Sequence, residues 1–122
     1  MIAPAPAVHD IVVRRASRHL ELVFADGFRA SLPAEYLRVE SPSAEVQGHG
    51  PGQKLTVPGK REVNIAAVEP IGHYAVRIRF TDGHDTGLYS WDVLYELAQE
   101  QDMRWTAYLV QLAAQGLSRD PD

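Results

Sequence analysis

His84 stands between two carboxylates, Asp82 and Asp85, with Tyr89 and Trp91 shortly after it. A carboxylate beside an imidazole orients the ring and raises its pKa, which suits proton transfer or metal binding. The same spacing supports a plainer reading, in which Asp82 serves a turn, Asp85 faces solvent and His84 bonds backbone. The candidate ligand- or partner-binding residues are therefore His49, Asp82, His84, Asp85, Tyr89 and Trp91, with His84 the candidate metal ligand; no residue is assigned a catalytic role. His49 lies in Gln47-Gly48-His49-Gly50-Pro51-Gly52-Gln53, which lacks the Gly-Lys-Ser/Thr ending of a phosphate-binding loop. Spacing alone does not fix whether His49 approaches His84. His9, His19 and His73 fall at loops or strand edges, and the serines lack the strand-turn-helix setting of a hydrolase nucleophile.

The elements that must carry His84 read as strand, turn, strand, helix. Tyr74, Val76, Ile78 and Phe80 alternate with Ala75, Arg77 and Arg79, the two-residue period of a half-buried strand. Asp82-Gly83 is a reversal signal, since glycine accepts positive φ and aspartate bonds its own backbone. Ser90 is placed to cap a helix with Trp91, Leu94 and Ala98 at helical spacing. An earlier stretch echoes this one: Phe24-Ala25-Asp26-Gly27 precedes Phe28 and Leu32 as Phe80-Thr81-Asp82-Gly83 precedes His84 and Leu88. The echo predicts two hairpin-plus-helix units about one core, with His84 on the same side of the sheet as Leu88. Pro33 suits the first turn of a short helix running through Leu37.

Between the units, Ser41 to Lys60 carries Pro42, Pro51, Pro58 and four glycines, which predicts an irregular loop; loops of this length are commonly functional. Val63, Ile65 and Ala67 resume a strand, and Pro70 to His73 turns the chain. The last helix is predicted from about Asp102 to Gln115, stopped by Gly116. Arg104 is the only charge between Met103 and Gln115, and the apolar residues form two stripes: Met103, Ala107, Val110 and Ala114 in one, Trp105, Leu109 and Leu112 in the other. A surface helix normally has a charged outer face, so Trp105, Leu109 and Leu112 are predicted to meet another subunit or a partner.

Composition bounds the chemistry further. The chain has 122 residues and 45% apolar content, enough for one core, and no cysteine. Disulfides, thiolate metal sites and cysteine nucleophiles are thereby excluded. A net charge of −4 argues against a general nucleic-acid binder, no apolar run is long enough to span a membrane, and the start does not resemble a signal peptide, so a cytoplasmic location is expected. The expected layout is a loose arm over residues 1–9, a single domain over 10–116 and a polar tail over 117–122. The expected fold is α+β: a small, mostly antiparallel sheet of about five to six strands, a short helix after the first hairpin and two C-terminal helices.

Leu37 to Gly50, an aliphatic strand, and then Phe80-Thr81-Asp82-Gly83-His84-Asp85-Thr86-Gly87-Leu88-Tyr89-Ser90-Trp91 resemble the gamma-butyrobetaine hydroxylase N-terminal-like domain family over about Asp10 to Gln99. In the hydroxylase this domain is an accessory module ahead of an iron and 2-oxoglutarate dioxygenase barrel, and it holds zinc with three cysteines and one histidine. The histidine corresponds to His84, and the cysteines fall on a segment that offers Ser41, Ser43 and Val46. The thiolate site therefore does not carry over intact, and neither does the dioxygenase activity, whose barrel is absent. Similar domains attached to P-loop iron–sulfur carrier ATPases imply a role around iron–sulfur delivery, here as a partner-binding module. Two expectations follow: a stand-alone, non-enzymatic accessory module that binds a protein or small ligand, or an iron- or zinc-binding protein centred on His84.

Overall fold

A computed structural model describes residues 4–50 and 52–121; the first residues of the expected arm, Pro51 of the long loop and Asp122 of the tail lie outside the described residues. Three strands, β1 (Val8–Arg14), β2 (His19–Phe24) and β3 (Arg29–Pro33), form an antiparallel sheet in that order, followed by α1 (Ala34–Val39). After the short α2 (Ala44–Gln47), a second antiparallel sheet forms in the order β4 (Ile65–Ile71), β5 (Ala75–Phe80), β6 (Leu88–Ser90), followed by α3 (Trp91–Gln99) and α4 (Gln101–Ala114). Six strands fall within the expected five to six, and they are divided equally between two sheets. No helix among the described residues is long and apolar enough to cross a membrane.

The two Asp-Gly reversals fold alike. Gly27 N–H donates to Phe24 O at 2.9 Å and Phe28 N–H to Asp26 Oδ1 at 2.9 Å. Gly83 N–H donates to Phe80 O at 3.1 Å and His84 N–H to Asp82 Oδ1 at 3.1 Å. Gly27 and Gly83 sit at φ +90° and +92°, a region that side chains with a Cβ avoid, which is why glycine closes both turns. Alternation in β2 buries Leu20, Leu22 and Phe24 on one face, and β5 does the same with Val76, Ile78 and Phe80. These six residues, with Leu32, Tyr36, Leu37, Tyr89, Leu94 and Leu97, belong to one core.

The echo fails in one respect. Leu20 pairs with Leu32 in the first unit, but Val76 pairs with Tyr89 in the second. One extra residue therefore lies between the turn and β6, and with a side-chain period of two it exchanges the faces. Leu88 is 49% exposed and Tyr89 takes the buried place. His84, buried ahead of the slip, does not share a face with Leu88. Tyr74, expected within the β5 alternation, lies outside the strand and is exposed. The proline- and glycine-rich stretch is not wholly irregular, since Ser43 Oγ accepts from Glu45 N–H at 3.2 Å and starts the one-turn α2.

The C-terminal elements brace both units. Ser90 Oγ caps α3 by accepting from Val93 N–H at 3.1 Å, as expected. Tyr36 OH donates to Leu97 O at 2.7 Å, and Tyr89 OH donates to Leu37 O at 2.6 Å, so each unit's helix is tied to the other unit. On α4, Tyr108 and Leu112 are buried against Val39, with Trp105 and Val57 beside them. Trp105 and Leu112, expected to face a partner, are thus spent inside this chain, and the apolar face left outward carries Met103, Leu109 and Val110. The inner face also carries Arg104, bonded to Glu40, Glu96 and Glu100. The tail is docked as well: Arg119 pairs with Glu35 through two bonds of 2.9 and 2.7 Å and lies 5.1 Å over the Trp105 ring.

Candidate functional site

The β5–β6 connection carries His84 inward, against the segment that leaves α1 and enters α2. Its side chain is 2% exposed. Nε2 lies 2.9 Å from Ser41 Oγ, and Nδ1 lies 3.2 Å from Glu45 Oε2. Ser41 Oγ also accepts from Ser43 N–H at 3.2 Å. Ser43 Oγ is 2.8 Å from Thr86 Oγ1, which donates to Glu45 Oε1 at 3.1 Å.

These bonds close a ring through Ser41, His84, Glu45, Thr86 and Ser43, and with a neutral imidazole they assign a direction to each proton in it. An ionised carboxylate only accepts, so Thr86 donates to Glu45 and must in turn accept from the Ser43 hydroxyl. His84 Nδ1–H donates to the other Glu45 oxygen, leaving Nε2 to accept from the Ser41 hydroxyl. Burial lowers the His84 pKa below its ordinary value, and the Arg38 guanidinium lowers it further; Glu45 and Asp82 pull the other way without reversing the shift. A neutral imidazole is the form this ring needs. The expectation that neighbouring carboxylates would raise the His84 pKa is therefore reversed by desolvation.

Asp82 serves the turn, as the plainer reading had it, and holds two cations besides. Its Oδ2 is 2.8 Å from Arg38 Nε and 2.6 Å from Lys60 Nζ. Burial opposes the charge, but the Lys60 ammonium, the His84 backbone N–H and the Arg38 guanidinium outweigh it and hold the carboxyl at about 2. Tyr89 is buried, its hydroxyl on Leu37 O, and desolvation pushes its pKa up. Trp91 is half-buried and donates its indole N–H to His73 O at 2.8 Å. Asp85 is half-exposed and takes no part in the ring. His49 is exposed on the loop, its backbone N–H donating to Gln53 Oε1 at 3.0 Å, and its side chain enters none of the ring's bonds.

Ser41, His84 and Glu45 have the connectivity of a hydrolytic triad. Access rules out that use. Ser41 is 0% exposed, and Gly87 stands over it so closely that a Cβ there would lie 2.6 Å from the serine Oγ. A substrate carbonyl has no path to the oxygen, whereas Glu45, the member usually buried in a triad, is the exposed one.

The ring also occupies the ground where the family resemblance implies zinc. Serine hydroxyls and a buried valine replace its thiolates, and both His84 nitrogens are spent on hydrogen bonds. Near the ring, the buried polar atom left without a partner is Arg38 Nη1, a cationic donor that would repel a metal ion. Among the described residues no group of three or more His, Cys, Asp or Glu side chains is placed to hold one. The residues present do not fit a metal. The sequence reading missed Ser41 and Glu45 as partners of His84 and Thr86 as the link between Ser43 and Glu45; the alignment of Ser41 and Ser43 with ligand positions was the one signal that this segment lies near His84.

Two related three-stranded units, each closed by an Asp-Gly turn and locked at one junction by buried polar side chains, define a small α+β domain. Residues 11–95 match the family model described as "Gamma-butyrobetaine hydroxylase-like, N-terminal", and the chain belongs to that family. Two solution structures determined by NMR are each 48% identical with a TM-score of 0.84; one match covers 97% of this chain and 93% of the other, the second 99% and 92%. A crystal structure of a protein of unknown function in the DUF971 family, from Acidithiobacillus ferrooxidans ATCC 23270, is 37% identical with a TM-score of 0.65, covering 80% of this chain and 98% of that one. No curated protein matches the chain.

Proposed function

We propose that this chain is a non-enzymatic binding module whose polar ring is a structural lock and whose long loop is the presented surface. The observation that carries this reading is the closed ring itself: its histidine is enclosed with both nitrogens bonded, and its serine is sealed, so the densest polar chemistry in the sequence is consumed in joining the α1–α2 segment to the β5–β6 hairpin. The loop that leaves this lock is pinned to the body of the domain at three points. Leu55 N–H donates to Val46 O at 2.7 Å, Tyr108 OH to Val57 O at 2.6 Å and Gly59 N–H to Ser118 O at 2.9 Å. Between these anchors the Leu55 side chain projects into solvent. A pinned loop with an outward leucine loses little conformational freedom on binding, which favours affinity.

The partner is a protein or small ligand, and the resemblance to domains joined to iron–sulfur carrier ATPases makes a protein of that apparatus the first to test. Quantitative pulldown with purified candidates separates the outcomes. The wild-type chain is expected to retain a stoichiometric partner that a folded Leu55→Asp variant loses. Retention unchanged in the variant, or turnover of a substrate by the isolated chain, would overturn the reading. Elemental analysis of untagged protein is expected to find no stoichiometric iron or zinc.

A further inference from the structure

A cavity of about 470 Å³ opens between the loop and α4, away from the His84 ring. That volume lies in the range of roughly 300–1,000 Å³ in which proteins hold small ligands. Its lining mixes the apolar Val39, Leu55, Ala107 and Tyr108 with the charged Glu40, Lys54 and Arg104 and the polar Gln111, Gln115 and Thr56.

Exposure decides which charges a ligand would meet. The Glu40 side chain is 4% exposed and lies behind its two partners, Lys54 at 45% and Arg104 at 26%. Glu96 and Glu100, the other carboxylates on Arg104, are not part of the cavity lining. The charged side chains that reach solvent at the cavity are therefore Lys54 and Arg104. Their charge is shared with Glu40, Glu96 and Glu100, but hydrogen-bond donors remain on both. Arg104 uses one N–H of each nitrogen, on Glu100, Glu40 and Glu96, so of the five N–H of a guanidinium two remain. Lys54 makes a single bond, to Glu40, leaving two of its three. Gln115 Nε2 bonds Thr56 Oγ1 at 2.9 Å and Gln111 Oε1 at 3.3 Å, which fixes these polar side chains and directs the Thr56 hydroxyl hydrogen elsewhere.

We infer that this cavity binds a small organic carboxylate with an aliphatic body, its head on Lys54 and Arg104 and its chain along Leu55 and Ala107. A carboxylate matches paired N–H donors geometrically and makes charge-assisted bonds, and the apolar lining residues receive several methylenes. The same chemistry is offered by a free acid or by the C-terminus of a peptide ending in an aliphatic residue. This inference rests on the reading of the chain as a binding module and gives it a ligand class; because Leu55 also lines this cavity, the test uses Lys54 and Ala107 variants, and a partner retained by those variants while hexanoate is lost separates the two.

The test is a ¹H–¹⁵N NMR titration of the full chain with hexanoate and, in parallel, its neutral counterpart hexanamide. Saturable shifts are expected at the backbone amides of Lys54, Leu55 and Thr56 and at the side-chain amides of Gln111 and Gln115, with hexanamide at least about ten-fold weaker. Lys54→Met should abolish the hexanoate shifts. Because Lys54 also covers a buried carboxylate, Ala107→Leu supplies an independent block: it fills the cavity from an exposed helical position and should weaken hexanoate at least about ten-fold. A dipeptide ending in leucine, free or amidated at its C-terminus, then distinguishes the sources, the free form exceeding hexanoate if the natural ligand is a chain terminus and trailing it if it is a small acid. Absence of saturable shifts, equal response to hexanamide, or wild-type binding by the Ala107→Leu variant would overturn the inference.

Discussion

Replacing Ser41 by alanine tests the lock at its most enclosed point. The hydroxyl accepts from Ser43 N–H and donates to His84 Nε2, at 3.2 and 2.9 Å, with no solvent contact. Its loss leaves a buried N–H and a buried ring nitrogen without partners. An unsatisfied buried group costs about 1–3 kcal/mol, so the two together predict a loss of about 2 kcal/mol or more. Urea denaturation at pH 7.5, with fluorescence and far-ultraviolet circular dichroism as separate probes, should show the midpoint falling by roughly 1–2 M at unchanged slope. The combination with His84→Phe sharpens the test, since phenylalanine needs no donor and the corresponding residue of the first unit is Phe28. In a double-mutant cycle, Ser41→Ala should cost at least about 1 kcal/mol less in the His84→Phe background than in the wild type. A loss below about 0.5 kcal/mol, or strict additivity, would refute the ring as a cooperative lock.

Other consequences follow from the same geometry. Gly87→Ala places a Cβ 2.6 Å from Ser41 Oγ and 3.1 Å from the Tyr89 ring, and overpacking of this kind should destabilise the fold by about 1–3 kcal/mol, read by thermal melting. Gly27→Ala and Gly83→Ala meet open space and differ from glycine only in positive-φ strain, so their costs should match each other at about 1–2 kcal/mol. Acidification should weaken the protein in two windows. The His84 pKa is depressed in the fold, so its contribution is complete above the ordinary value of 6.5 and is lost as pH falls through the lowered one; His84→Phe should flatten that part of the stability–pH curve. Asp82, held at about 2 instead of 3.8, contributes above 3.8 and is lost as pH drops toward 2, a span worth about 2 kcal/mol reduced to about 1 by solvent screening and removed in Asp82→Asn. Arg119→Ala leaves the nearly buried Glu35 without its two bonds and should cost about 2–3 kcal/mol in urea, while charge reversal at the half-exposed Asp85, which takes no part in the ring, should cost under about 0.5.

What the sequence disclosed and what it hid follow the range of the interactions. Both Asp-Gly turns, the alternation of β2 and β5, the Ser90 cap and the Gly116 stop are local chemistry, decided within a few residues, and all are present. The β6 register was hidden because a single additional residue between Gly83 and Tyr89 changes faces without changing composition. The fate of His84 was hidden for a different reason: Ser41 and Glu45 approach it across about forty residues of chain, and only that contact turns an apparent acid–base pair into an enclosed neutral one. The inner face of α4 was hidden because its two apolar stripes look equivalent in sequence, and what selects the Trp105 and Leu112 side is its packing on Val39 and the pairing of Arg104 with three distant or neighbouring carboxylates. The tail looked polar and free because the aromatic face under Arg119 is assembled only when α4 packs.

The state of the His84 ring is the most direct measure of the account. Long-range ¹H–¹⁵N correlation of the imidazole, recorded from pH 5 to 8 with and without one equivalent of zinc, should show a neutral ring protonated at Nδ1, an accepting Nε2, a titration midpoint below 6.5 and no response to the metal. A midpoint above 6.5, the opposite tautomer, or a zinc-induced shift at Nε2 would contradict a closed structural lock at this junction.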